Sequence, residues 1–378
     1  MAEHAKKNQN LFVLTFIPNK NDNTAAKIRK IIVIISLLVF IGCGIYILNY
    51  FGAAKADKEM NDELSDMIHQ AEGSGGTLNL LKEEINEKIE EPPVILDKFT
   101  DLYAENKDLV GWIKAGHYID YPVLMREGLE NTDYYLYRNF YEEDSISGSI
   151  FCDNHVLPLT DANNLVIYGH NMQSGEYFAS LTYYYPYSSH YSDGYSYDNQ
   201  AFIDYYLKYP TIQFDTLYEE GTYKVFAGIF INTEDKDGYP YPYYRKRQFK
   251  NEAEFMDFIG NIMDRSTFYT DVDLEYGDQI ITLSTCYYYP MGKNVDCRFA
   301  LFARKVREGE SLEVDASKIT VNQSPLFFDT YYERGLAYPW KGRNWDISLV
   351  KNFDKYTDKV DSLDNVEPGE TPVVTVSE

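Results

Sequence analysis

A cysteine at the end of an apolar run is the strongest candidate for chemistry in this sequence. The run IITLSTC, residues 280–286, is rich in β-branched and apolar residues, which predicts a strand that ends on the Cys286 thiol. A thiol at the mouth of a strand has a rigid base and faces a cleft, which suits a nucleophile. A lone buried cysteine is usually inert packing, so this hypothesis needs other groups nearby.

A histidine and an arginine stand where they could complete such a site. His170 directly follows the apolar run at 165–168, and Gly169 allows the backbone to turn tightly before it. Arg298 begins the next predicted strand after Cys286, so its guanidinium can reach the same end. A neighbouring base favours the thiolate, and a fixed cation can hold a substrate carbonyl and stabilise an oxyanion. The three residues together predict acyl-transfer chemistry.

Each of these residues also has an ordinary structural explanation. The cysteine could be core packing, the histidine a hydrogen-bonded structural residue and the arginine an ion-pair partner. Their order along the chain and their placement at strand ends favour a shared site.

The elements that must position these residues are mainly short β-like runs. The predicted strands cover residues 109–113, 118–124, 149–152, 165–168, 211–217, 223–232, 279–286 and 298–306. Helical patterns cover 202–207 and 252–265, and Asn251 with Glu254 forms a capping signal for the second. Eight strands at this spacing, with helices between them, predict a mainly β fold with added helices, arranged as a closed or nearly closed barrel.

An apolar run near the N-terminus predicts a membrane anchor. Residues 31–51 form an almost uninterrupted apolar stretch, long enough at 1.5 Å per residue to span a bilayer core of roughly 30 Å. Basic residues precede it and acidic residues follow it, which places the N-terminus in the cytoplasm and the rest of the chain outside. A cleavable signal peptide is the alternative, with an A-x-A site at 54–56, but the apolar run exceeds the usual length.

The sequence divides into five predicted regions. The first 95 residues hold the membrane-related segments, and a helical stalk with patterns at 55–70 and 78–91 is expected within them. The last region includes an acidic tail, from about residue 365, that is typical of disorder. The predicted regions are a cytoplasmic N-terminus (1–30), a transmembrane anchor (31–51), a helical stalk (52–95), a catalytic barrel domain (96–307) and a C-terminal extension (308–378).

Composition excludes some partners and favours others. The formal net charge of -24 disfavours nucleic acid. The four cysteines lack zinc-like spacing, and no acidic loop matches a calcium-binding pattern, so we expect neither a metal nor another cofactor. The 36 tyrosines include a Tyr-rich run at 182–197 and a loop at 233–248, which are expected on the surface, where loops carry binding specificity.

Several separated motifs, in this order, resemble the signature of the sortases. They are YGHNM at 168–172, LSTC at 283–286 and RFAL at 298–301. GSIF at 148–151 and the early segment from GWI at 111–113 to IDYPV at 119–123 resemble class B sortases in particular. The resemblance covers about residues 96–307.

This resemblance implies a sortase-type eight-stranded barrel and a membrane-anchored cysteine transpeptidase of a Gram-positive-type cell. Cys286 would attack a Thr carbonyl in an LPXTG- or NPQTN-like motif of secreted proteins with a C-terminal sorting signal. His170 would act as general acid and base, and Arg298 would stabilise substrate and oxyanion. The Tyr287 amide is expected as a second oxyanion donor, and Ser284 as a substrate contact. An amine of a cell-wall precursor or of a pilin would accept the acyl group.

Two other functional interpretations remain open at this point. One is a cell-wall cysteine peptidase, although in those enzymes the cysteine commonly precedes the histidine. The other is a surface adhesin with Tyr-rich binding loops and an incidental thiol. Cys297, directly before Arg298, could be oxidised with Cys286 or be merely buried.

Overall fold

The computed structural model describes residues 16–18, 20, 22–74, 94–128, 133–152, 159, 162–191 and 198–357. They divide into two compact units at Glu59. The first helix, α1 (Thr24–Ser74), contributes residues to both. The predicted helix at 78–91 and the predicted acidic tail from 365 lie outside the described residues.

The first unit is dominated by the apolar half of α1. This helix is long and apolar enough to cross a membrane, and the apolar window is not buried by other parts of the protein. The result matches the predicted anchor in length and composition. A signal sequence near the N-terminus would meet the same criteria.

The second unit is built on a closed eight-stranded barrel, as the strand pattern predicts. The strands are β1 (Leu109–Ala115), β2 (Ile119–Leu124), β3 (Ile150–Cys152), β4 (Asn164–Tyr168), β5 (Thr211–Thr216), β6 (Thr222–Asn232), β7 (Phe268–Tyr269), β8 (Ile280–Cys286), β9 (Cys297–Lys305) and β10 (Thr320–Val321). The barrel order is β1-β2-β3-β4-β8-β9-β6-β5, and β7 pairs with β10 in a separate two-stranded sheet. The β2–β3 and β4–β8 pairs are parallel, and the other pairs in the barrel are antiparallel.

Among the described residues, four further helices pack around this barrel. They are α2 (Thr100–Glu105), α3 (Asn199–Lys208), α4 (Glu252–Arg265) and α5 (Asp329–Glu333). Helix α4 begins where the sequence predicts, because the Asn251 side chain accepts a hydrogen bond from the Glu254 amide at 3.0 Å. Its apolar face is buried with residues of β6, β8 and β9, so this helix closes one side of the barrel.

The last turns of α1, which lie within the stalk predicted for 52–95, belong to the folded unit. Leu64 and Ile68 are completely buried in a cluster with Phe99 and Trp112. Residues four apart share one helix face, so these two side chains meet the barrel together. In the same segment of α1, the Asn61 side-chain amide donates a further hydrogen bond to the barrel unit. Residues 60–74 are therefore a packed element and not a spacer.

The described part of the C-terminal extension is also packed. Strand β10 pairs with β7, and Phe327, Phe328 and Tyr331 are buried in the main aromatic core. Further along, Trp345 donates to the Asp264 carboxylate at the end of α4, at 2.7 Å. The extension thus folds back over two sides of the barrel.

We predict that Leu64→Ala lowers the free energy of unfolding of the purified protein by about 2–5 kcal/mol, because it leaves a cavity under α1. Denaturant unfolding would measure the change. Asp66→Ala on the exposed face of the same helix is the control and should change stability little. Equal stability of the two variants would contradict the packed role of residues 60–74.

Candidate active site

The register of β8 against its two neighbours brings the three predicted residues to one end of the barrel. Tyr168 in β4 lies beside Ser284 in the parallel strand β8. The two strands therefore end at the same edge of the sheet, where β4 leads to His170 and β8 ends at Cys286. Across the antiparallel pair, Cys286 lies directly opposite Arg298. These three residues line one cleft of about 450 Å³. The structure therefore places the thiol, the imidazole and the guanidinium in one cavity.

The turn that carries His170 is tied to the strand that carries Cys286. The Thr285 hydroxyl donates to the Gly169 carbonyl oxygen at 2.7 Å. The Asn171 side-chain amide donates to the Cys286 carbonyl oxygen at 2.8 Å. Because these bonds flank the histidine on both sides, its position relative to the thiol is fixed by the backbone of β8.

The imidazole of His170 is oriented by a main-chain carbonyl. Its Nε2 lies 2.8 Å from the Leu136 carbonyl oxygen, and the Tyr137 ring lies 5.9 Å from the imidazole centre. A carbonyl oxygen can only accept, so Nε2 carries a proton in this arrangement. In a neutral imidazole, Nδ1 is then the ring nitrogen that has no proton.

A glycine holds the turn that supplies this carbonyl. Leu136 lies in the 3-10 turn Tyr134–Tyr137, and Gly148 packs against it with a φ of 58°. A Cβ at position 148 would lie 2.3 Å from the Leu136 carbonyl oxygen. Both the left-handed backbone and the close approach therefore require glycine here.

The guanidinium of Arg298 is held by its immediate neighbours in the chain. Its Nη1 donates to Asp296 at 2.5 Å and to the Cys297 carbonyl oxygen at 3.1 Å. Burial opposes its charge, but the hydrogen bond to Asp296 and the neighbouring Cys286 and Asp296 charges raise the pKa of Arg298 above its usual range. Among the described residues, Nε and Nη2 have no hydrogen-bond partner, so these donors are available to a substrate oxygen.

The predicted contact groups of Ser284 and Tyr287 are both engaged within the protein. Ser284 lines the cleft, but it is buried and its hydroxyl is hydrogen-bonded to the Tyr243 hydroxyl at 2.7 Å. The Tyr287 amide donates to the Cys297 carbonyl oxygen at 3.1 Å. The antiparallel pairing continues one residue beyond Cys286, so this amide is already engaged and the predicted oxyanion role is not supported.

The second thiol of the site region is buried. Cys297 is fully buried, and it points away from its neighbour Arg298 because successive side chains of a strand alternate. Burial and the nearby Asp296 raise the pKa of the Cys297 thiol to about 12. Of the two outcomes considered for Cys297, the structure supports burial, and Cys297 and Cys286 are not joined by a disulfide.

Sequence reasoning missed the groups that support the three predicted residues. Asp296 could have been found, because it stands two positions from Arg298 on the same side of the chain. The Leu136 carbonyl and the Tyr243 hydroxyl left no signal, since a main-chain acceptor has no residue type and Tyr243 is one of many tyrosines. Tyr288 is a further case: it contacts Cys286, and burial together with the Cys286 charge raises the pKa of Tyr288 to about 12.

Comparisons with known proteins find relatives with this fold. No protein-family model matches the chain. Sortase B of Listeria monocytogenes is 31% identical over 193 residues, which cover 51% of this chain and 68% of that protein. Sortase B of Staphylococcus aureus is 32% identical over 192 residues, covering 50% and 67% respectively. The crystal structure of sortase B from B. anthracis in complex with AAEK2 has a TM-score of 0.50 and 25% identity, and covers 67% of this chain and 97% of that one.

A closed β-barrel with this site and these relatives is a cysteine transpeptidase. The chain belongs to the sortase family and is class B-like within it. Family membership sets aside the adhesin interpretation.

We predict that Gly148→Ala lowers the transpeptidation rate at least about tenfold, because the new methyl group displaces the Leu136 carbonyl from His170. Steady-state assays with a sorting-motif peptide would measure it. Gly175→Ala is the matched control: that glycine also has a positive φ, of 93°, but a Cβ there would meet open space. Equal losses in both variants would mean that backbone strain alone is responsible.

We also predict that iodoacetamide at pH 8 modifies Cys286 well before Cys297. A raised pKa keeps the Cys297 thiol protonated until the pH approaches 12, and only a thiolate reacts quickly. Cys286 is partly exposed in the cleft. Peptide mass spectrometry after timed labelling would measure both rates, and early labelling of Cys297 in the folded protein would contradict the buried assignment.

Proposed function

We propose that this protein is a membrane-anchored sortase that attaches secreted proteins to an amine at the cell surface. The substrate would be a secreted protein whose C-terminal sorting signal contains an LPXTG- or NPQTN-like motif. The acceptor would be an amine of a cell-wall precursor or of a pilin. The observation that carries the proposal is the strand register that brings His170, Cys286 and Arg298 into one cleft.

In the first half-reaction, the Cys286 sulfur would attack the carbonyl carbon of the motif threonine. The carbonyl oxygen gains negative charge, and the available N–H groups of Arg298 can donate to it. As the sulfur attacks, His170 would accept the thiol proton on Nδ1, and it would then donate that proton to the leaving amine as the C–N bond breaks. The product is a thioester between Cys286 and the threonine carbonyl, with the C-terminal fragment released.

In the second half-reaction, an incoming amine would attack the thioester carbonyl. His170 would accept the proton that the amine loses, and Arg298 would again stabilise the oxyanion. Collapse of the intermediate breaks the C–S bond, forms a new amide and restores the thiol. Ser284 would contribute as part of the cleft wall, where Tyr243 holds its hydroxyl.

The proposed location follows from the N-terminal segment. The apolar stretch of α1 would remain in the membrane, with the basic residues before it on the cytoplasmic side. The barrel would then lie outside the cell, where sorting signals and wall amines are both available. Residues 1–30 would form the cytoplasmic N-terminus, 31–51 the anchor and 96–307 the catalytic domain.

We predict that Cys286→Ala abolishes formation of a covalent acyl adduct with a sorting-motif peptide, because the thioester cannot form. Arg298→Lys should lower kcat about 100-fold or more, since a lysine ammonium does not reproduce the guanidinium donors. Intact-protein mass spectrometry would detect the adduct, and hydroxylamine should release it. Turnover of the peptide by Cys286→Ala would overturn the mechanism.

The same assay distinguishes a transferase from the cysteine peptidase considered above. Wild-type enzyme supplied with a small amine should form the new amide at the expense of hydrolysis. Hydrolysis that never partitions to the added amine would favour the peptidase.

A further inference from the structure

The connection between β8 and β9, residues 287–296, forms a wall of the cleft. It starts directly after Cys286 and brings the Tyr288 side chain into contact with that residue. Its backbone is folded on itself, since the Gly292 amide donates to the Tyr288 carbonyl oxygen at 2.6 Å and the Val295 amide to that of Gly292 at 3.3 Å. The position of this 287–296 connection therefore sets the environment of the thiol.

The C-terminal extension holds this connection directly. Arg334, the residue after α5, donates from Nη1 to the Met291 carbonyl oxygen at 2.6 Å. Met291 lies in the middle of the 287–296 connection, and its side chain is buried. A guanidinium is a charge-assisted donor, which makes this bond stronger than one between neutral groups.

An aromatic cluster supports the start of the same connection. The Tyr287 ring meets the Tyr185 ring edge-on at 5.7 Å, and the Tyr185 hydroxyl lies 3.3 Å from the Tyr331 hydroxyl of α5. Phe230 fills the space between, with ring centres 6.3 Å from Tyr287 and 5.8 Å from Tyr331. The Ser189 amide also donates to the Tyr287 hydroxyl at 3.2 Å. Two segments without an assigned role thus meet the connection together: the C-terminal extension and residues 182–191 of the Tyr-rich run. The surface position predicted for this run is wrong for its described part, which is mostly buried in the core.

The extension is itself anchored to the barrel unit, so it can act as a fixed support. The Asn322 amide donates to the Thr267 carbonyl oxygen at 3.0 Å, next to the β7–β10 pair. The Leu326 amide donates to the Asp264 carbonyl oxygen at 2.8 Å. Because these bonds fix the backbone before α5, the position of Arg334 after that helix is also fixed.

We propose that the C-terminal extension and the Tyr-rich segment 182–191 form one internal support for the 287–296 connection, and that Arg334 is a positioning residue for the transpeptidase reaction. The inference rests on the proposed function of Cys286. Arg334 acts through the connection and does not touch the reacting atoms. Small displacements of groups around a reacting centre cost large factors in rate, so loss of this support lowers turnover without removing a catalytic group.

The test compares Arg334→Met and Arg334→Lys with the wild-type full-length protein in detergent. Methionine keeps an apolar stem and removes the donor, so kcat for transpeptidation should fall about tenfold while KM for the peptide changes less. Lysine keeps a cationic donor and should recover part of kcat. Hydrogen exchange at the amides of Gly292 and Val295 should become faster in Arg334→Met, because the connection loses its outer anchor.

Arg343→Met is the matched control from the same extension. The Arg343 guanidinium pairs with the Asp264 carboxylate at 2.9 Å, away from the 287–296 connection. This variant should lower thermal stability while keeping kcat and the exchange of both amides close to wild type. A wild-type kcat and wild-type exchange in Arg334→Met would overturn the inference, as would an equal loss of kcat in Arg343→Met. If wild-type protein forms no acyl adduct, the proposed function fails separately, and the exchange measurement still decides whether Arg334 supports the connection.

Discussion

The pairing of β8 with β4 on one side and β9 on the other is the constraint on which the site depends. Each strand pair fixes which residues lie side by side: Tyr168 beside Ser284, and Cys286 beside Arg298. A slip of one residue in either ladder would turn every side chain of the slipped strand to the opposite face. The two buried faces of β8 oppose such a slip: Ile281 and Leu283 lie in the barrel core, and the hydroxyls of the opposite face are hydrogen-bonded to neighbouring elements. Packing energy in the core therefore sets the geometry of the cleft.

The charged and polar groups of the cleft are each held by a close neighbour within the protein. Asp296 steadies one end of the Arg298 guanidinium and leaves its other donors facing the cavity. A carbonyl oxygen orients His170, and a tyrosine hydroxyl holds Ser284. Groups fixed in this way need little reorganisation when charge develops on a substrate, which is the basis of electrostatic catalysis.

Much of the barrel, and the meeting of His170, Cys286 and Arg298 in one cleft, could be predicted from the sequence, because strand patterns and strand-end residues are local signals. The contacts that support the barrel and these residues could not be predicted. Leu64 and Ile68 have the same spacing in a packed helix as in a free amphipathic one, so the docking of residues 60–74 left no distinct mark. The engaged Tyr287 amide depends on how far a strand pair extends, which sequence patterns locate only to within a few residues. The hydrogen bond of Arg334 to Met291 joins two segments that are far apart in the sequence, so no local pattern predicts it.

The acceptor for His170 belongs to the main chain, and every amino acid supplies such a carbonyl. Sequence drift at position 136 therefore leaves the acceptor in place, provided that the turn keeps its shape. We expect the restriction on residue type to fall instead on Gly148, where a Cβ would meet the Leu136 carbonyl oxygen. On this geometry, homologues could differ in the side chain at position 136 and still orient the histidine alike. Among them, a change at the glycine is the more telling sign that the histidine has been released.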